Sequence, residues 1–263
     1  MTIVGFRHIG LYVDDVDRSV AFYSSVLGLQ EWPTDSPGPK ADLRYDMMLA
    51  QLGGGKLLAH PDKKGCISLS PATTGPFDPD KPGLDHLSVT SDDLDDHERS
   101  LTAQGVKHGS PTFMANAEMT VMSIRDPSRI QLESTLAPNA PDVVHHIRLT
   151  CDSVDDSTEF YRHLGFDVFM SGPDPRLLGG VILAHQKAGL ILGLRPALAA
   201  APFVPGRIGL GRLIVDVPAD EIDALAADLD TSPTIIETAG VSVARTTDPT
   251  GIPIDCVAEL RQQ

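Results

Sequence analysis

The chain has 263 residues, 41% of them apolar, enough for one ordinary core or two smaller ones. Its 36 acidic and 21 basic residues give a net charge of −15, which repels phosphate backbones and anionic lipid and so disfavours a nucleic-acid or membrane-surface role. No apolar run reaches the roughly 18 residues of a membrane span, and the N-terminal stretch lacks the basic start and apolar core of a signal peptide. The three cysteines, Cys66, Cys151 and Cys256, are widely spaced with no Cys-x-x-Cys pair. Reduced thiols in a cytoplasmic protein are the expectation.

In chain order, the apolar residues Ile9, Leu11 and Val13 alternate as in a half-buried strand. Asp14 and Asp15 offer caps for a helix carrying Val16, Val20, Phe22, Tyr23, Val26 and Leu27, and Gly28 supplies the stop. Strand-like runs follow at 29–32, 45–52 and 56–69, the last split near Pro61, with Gly53-Gly54-Gly55 as a hairpin turn. The same pattern then returns. From His146 the sequence matches that from His8 at nine of sixteen positions, including Phe160-Tyr161 against Phe22-Tyr23. A third copy starts at His86 and a weaker fourth at Arg212. The unit is βαβββ, repeated four times, with Pro-rich joints at 71–82 and 134–142. The second joint predicts a boundary between residues 1–136, holding modules one and two, and 143–263, holding modules three and four.

His8-Ile9-Gly10-Leu11, Phe22-Tyr23, Leu27-Gly28-Leu29, Gly83-Leu84-Asp85-His86-Leu87 and the run Asp126–Glu133 resemble the vicinal oxygen chelate superfamily of glyoxalase I, bleomycin-resistance proteins and extradiol dioxygenases. The resemblance covers all four modules and implies an α+β fold, in which paired βαβββ modules form two cup-shaped mixed-sheet domains. It also implies one divalent metal on the first and last strands of a module pair. With modules one and two paired, the ligands are His8, His86 and Glu133, and Ser68 is a poor fourth. Iron, manganese, nickel, zinc, cobalt and magnesium all suit such a nitrogen and oxygen set. The second pair offers His146, Arg212 and Asp255. Arginine has no lone pair to give, so an Arg212–Asp255 ion pair and a metal-free cup are expected there.

Other conspicuous residues have plainer readings. His60 and His185 sit in matching Leu-Ala-His sequences and share a strand position; His97 lies in a polar run read as a solvated helix face. The three glycines at 53–55 are no phosphate loop, since no Lys-Ser/Thr follows. Met47, Met48, Met114, Met119 and Met122 read as an apolar cup wall, with core filling as the alternative. Cys66 has no adjacent base in sequence.

The resemblance divides by chemistry. In an isomerase, epimerase or lyase, a small oxygenated substrate forms an enolate or oxyanion at the metal while Glu133, or Glu118 from the preceding hairpin, moves the proton. In an extradiol-type dioxygenase, Fe(II) takes a catechol and dioxygen. Against the latter, Ser123 and Arg129 stand where its signature before the glutamate has Tyr and Gly. Cys66 falls near the place of its second-shell histidine, and the assigned ligands lie in the first module pair. A drug-sequestering protein is a third reading, but pure sequestration needs no ligand set. The implied partner is a small molecule, with a homodimer possible.

Overall fold

The computed structural model describes residues 3–32, 43–114, 118–172, 179–230, 234–236 and 240–260. Module one runs β1 (Gly5–Val13), α1 (Val16–Leu27), β2 (Gln30–Glu31), α2 (Arg44–Leu52), β3 (Lys56–Ala59) and β4 (Cys66–Pro71). Module two is β5 (Gly83–Ser91), α3 (Leu94–Ala103), β6 (Thr112–Met114), β7 (Met119–Arg125) and β8 (Gln131–Leu136). Module three is β9 (Val144–Cys151), α4 (Val154–His163), β10 (Asp167–Ser171), β11 (Val181–His185) and β12 (Leu190–Pro196). Module four is β13 (Gly209–Asp216), α5 (Ile222–Asp228), β14 (Thr234–Ile236), β15 (Val241–Thr247) and β16 (Pro253–Glu259). The helix signals hold in detail. Asp15 caps α1 by accepting from the Arg18 amide, and Gly28 ends it at φ 68°.

One expected strand is a helix. Residues 45–52 carry no β-branched side chain and no period of two. Their Met, Leu, Ala and Gln residues favour α2, which buries Tyr45, Asp46 and Ala50. The module keeps its βαβββ plan with α2 inserted between β2 and β3.

The strands form two eight-stranded mixed sheets, ordered β14-β15-β16-β13-β1-β4-β3-β2 and β10-β11-β12-β9-β5-β8-β7-β6. In each module the first strand pairs in parallel with the last. At each sheet's centre, two first strands meet antiparallel: β1 with β13, and β5 with β9. Modules one and four therefore share one cup, and modules two and three share the other. The expected boundary at 134–142 divides both sheets instead of separating two domains. The physical reason is the joint itself. Only seven residues separate β8 from β9, so β9 turns back beside β5. The Val143 amide then donates to the Lys64 carbonyl at 2.8 Å, tying this joint to module one.

Ile9, Leu87, Ile147 and Leu149 on the central strands are fully buried in a core that runs through all four modules. Each such side chain contributes about 1.5–3 kcal/mol. Among the described residues no helix is long and apolar enough to cross a membrane.

Candidate metal centre

The central strands of the second sheet place four polar side chains on one face. Ser88 on β5 pairs with Glu133 on β8 to one side and with His146 on β9 to the other. His86 lies two residues from Ser88 and shares its face, opposite Arg148 of β9. His86 Nε2 is 3.1 Å from His146 Nε2 and 3.5 Å from Glu133 Oε2; His146 Nε2 is 3.7 Å from the same oxygen. These are the only three described His, Cys, Asp or Glu residues that converge in this way.

Partners behind the rings set their orientation. His86 Nδ1 donates to Asp85 Oδ2 at 2.9 Å, and Asp85 Oδ1 accepts from Arg195 Nε at 2.8 Å. Burial opposes ionisation of Asp85, but the His86 hydrogen bond and the positive charges of Arg195 and Arg148 outweigh it and hold the carboxyl below its usual range. His146 Nδ1 is 2.9 Å from His145 Nδ1. Burial, with repulsion from His86 and His145, pushes His146 well below the usual histidine value, so its ring is neutral. When His146 donates to His145, both Nε2 lone pairs and a carboxylate oxygen face one point. Three lone-pair donors so placed repel one another unless a cation lies between them. Metal bonds of about 2.1 Å place ligand atoms about 3.0–3.4 Å apart, close to the separations here. The set fits a divalent ion.

The fourth slot holds no ligand. By the sheet's two-fold symmetry, the partner of Glu133 on β12 is Gly193, which pairs with Arg148 as Glu133 pairs with Ser88. A Cβ at Gly193 would lie 3.1 Å from Arg148 Cγ, so the glycine admits the arginine stem. Above this floor is a cavity of about 450 Å³ with an apolar wall that includes Met114, Met119, Phe169, Met170, Val181 and Ile182. Glu118 is exposed at its rim, with φ 49°.

The other cup is built differently. His8, the expected first ligand, lies on β1 in the sheet that holds neither His86 nor Glu133. Its Nδ1 bonds Asp46 Oδ1 at 3.0 Å, and Arg7 Nε donates to the other oxygen at 2.8 Å. Arg212 Nη1 donates to Asp255 Oδ2 at 2.8 Å, the ion pair expected from the sequence. Ser68 is paired with Gly10, in the slot that Gly193 fills opposite. The structure thus brings His86 and Glu133 together, removes His8 from them and puts His146 in its place. Each slot was readable from the repeat, but the pairing of modules was not. Asp85, His145, Arg148 and Gly193 carried no separate sequence signal.

The remaining expectations divide. His60 and His185 both accept a backbone N–H through Nδ1, from Asp62 and Ala188, as a shared structural position requires. His97 is not solvated: its ring turns to Ser134 on β8, with Nδ1 3.1 Å from the hydroxyl. Met114 and Met119 line the cup, Met122 is core, and Met47 and Met48 belong to α2.

Residues 5–134 match the family model described as the Glyoxalase/Bleomycin resistance protein/Dioxygenase superfamily. No curated protein matches the chain. Glyoxalase I from Zea mays superposes with a TM-score of 0.69 at 16% identity, covering 97% of this chain and 92% of that one. A putative dioxygenase from Bacillus subtilis subsp. subtilis str. 168 gives 0.68 at 15% identity, covering 98% and 86%. At these identities the likeness is one of fold, and the family match spans β1 to β8. Residues 5–134, modules one and two, thus match the Glyoxalase/Bleomycin resistance protein/Dioxygenase superfamily, and modules three and four repeat the same βαβββ plan.

Proposed function

We propose that His86, Glu133 and His146 hold one divalent metal, and that the protein is a metal-dependent isomerase, epimerase or lyase acting on a small oxygenated organic molecule. The observation that carries this reading is the convergence of three ligand atoms 3.1–3.7 Å apart at the floor of a largely apolar cavity. A metal there supplies a Lewis acid that polarises a substrate carbonyl oxygen and stabilises negative charge developing on it. The chain's own groups do the rest. Arg148 adds a fixed positive charge beside the floor and favours an anionic or enolate-like substrate. Glu133 Oε1, or Glu118 at the rim, takes the proton from the neighbouring carbon. The methionine and phenylalanine wall lowers the local dielectric and strengthens these charge interactions. Three protein ligands leave open positions, unlike a closed structural site.

A second reading keeps the same ligand set. Two histidines and one carboxylate also suit Fe(II) and dioxygen, so an extradiol-type dioxygenase is the rival. Its exclusion by module order does not stand, because the ligands straddle modules two and three. A protein that only sequesters drugs has no use for a converging triad backed by Asp85 and His145. The two enzyme readings part in deuterium oxide under nitrogen, with metal-loaded protein and a panel of α-hydroxycarbonyl compounds. The expected result is solvent deuterium at the carbon next to the carbonyl. Turnover that needs oxygen and opens a catechol ring, without exchange, would establish the dioxygenase instead.

A further inference from the structure

The floor of the metal cup is asymmetric in charge. Across the sheet's two-fold, His86 matches His146, but Ser88 beside Glu133 on one side matches Arg148 beside Gly193 on the other. A Cβ at Gly193 would lie 3.1 Å from Arg148 Cγ and 3.5 Å from its Cδ, so the arginine stem takes the room of a fourth ligand side chain. Where a second carboxylate could have stood, the chain puts a guanidinium. Arg148 is permanently charged, its side chain is 22% exposed, and it lines the cavity.

The charges around it do not balance once a divalent ion is bound. Asp85 Oδ1 pairs with Arg195 Nε at 2.8 Å, and Arg148 Nε lies 3.6 Å from Oδ2 of the same carboxylate. Glu133 is the one carboxylate of the ligand set. Asp80 beside Arg195 and Glu118 at the rim are exposed, and water screens them. The ion and the two arginines outweigh Asp85 and Glu133. An anionic substrate restores the balance, and a carboxylate suits the planar fork of an arginine.

The walls ask for the opposite chemistry. Met114 and Met119 come from module two, Phe169 and Met170 from module three, and all four line the cavity. Phe169, on the edge strand β10, is 71% exposed. Such surface is relieved of water when an apolar group covers it. The Thr135 hydroxyl in the lining is already paired with that of Ser88 at 2.6 Å, so a polyhydroxylated body finds little to bind.

Resting on the metal-centre reading above, we propose that this cup takes a small monocarboxylate with an aryl or branched-alkyl body. Arg148 binds the carboxylate beside Gly193, and the body lies against the methionine and phenylalanine walls. Arg148 is then a specificity-determining residue, and sugars and uncharged ketones are poor ligands.

The test titrates full-length protein calorimetrically with phenyllactate, its neutral amide and lactate, in zinc-loaded and metal-stripped form, with zinc content measured on the same samples. Phenyllactate is expected to bind zinc-loaded protein once per chain, and the amide and lactate each about tenfold more weakly. Arg148→Gln should cut the preference for acid over amide about tenfold in both forms, and Arg148→Lys should keep part of it. Phe169→Ala, at an exposed position, should weaken phenyllactate about fivefold and leave lactate unchanged. Equal binding of acid and amide in wild type, a preference untouched by Arg148→Gln, or lactate binding as tightly as phenyllactate would each overturn the proposal. A chain that takes up no zinc, yet keeps an Arg148-dependent preference for the acid, would refute the metal centre and leave the carboxylate site standing.

Discussion

Arg129 stands on an exposed turn at φ 69°, a backbone region that costs a side-chain-bearing residue about 1–2 kcal/mol. The matching turn of module four, Asp248-Pro249-Thr250-Gly251, has glycine there at φ 97°. Among the described residues the Arg129 side chain makes no hydrogen bond; its amide donates to the Asp126 carbonyl at 2.9 Å and its carbonyl accepts from Arg125. Replacing it by glycine relieves the strain but adds unfolded-chain entropy, about 0.5–1 kcal/mol. Arg129→Gly should therefore be neutral or stabilising by up to about 1 kcal/mol, read from the midpoint of denaturant unfolding. A loss of stability would show that the arginine makes an interaction worth more than the strain. The absence of glycine in this sequence position was legible from the start; that the backbone keeps the glycine conformation was not.

At the scale of the element, the same turn ties a helix to a strand. Asp126 Oδ1 accepts from the Ile130 amide at 2.7 Å, and Oδ2 accepts from Tyr23 of α1 at 3.2 Å. Asp248 repeats this with Ile252 and with Tyr161 of α4. Burial pushes the Asp126 carboxyl up to about 7 and that of Asp248 up to about 6, against their hydrogen bonds. A raised carboxyl means that the folded state holds its proton longer than the unfolded one. The stability these groups contribute is full below about pH 4 and is lost as pH rises through about 6–7. Histidines 97, 145, 146 and 185 are all held low by burial and slope the other way. The contrast must therefore be made with Asp126→Asn and Asp248→Asn. Between about pH 5 and pH 8 the double variant should lose less stability than wild type; parallel curves would contradict the account. The Phe-Tyr pairs were visible as repeats, while their tether to these aspartates needs the fold. The helix at 44–52 was missed because a nine-residue, mixed-polarity run carries little period of either kind.

Across the whole molecule, four modules present the same first-strand edge, and any two can meet there. His8, His86, His146 and Arg212 all occupy that edge, so the sequence names every slot yet leaves open which slots share a cup. The short joint after β8 decides it. One consequence concerns the halves 1–136 and 143–263, each of which carries half of both sheets. Expressed separately, neither should be a folded monomer, and mixing them should give a one-to-one complex with a restored circular dichroism spectrum. Two well-folded monomeric halves would contradict the pairing. The most direct measurement of the central claim is metal content after reconstitution and gel filtration, for wild type, His146→Ala and His8→Gln. About one equivalent is expected in wild type and in His8→Gln, and a large loss in His146→Ala. Metal retained in His146→Ala and lost in His8→Gln would place the centre in the other cup.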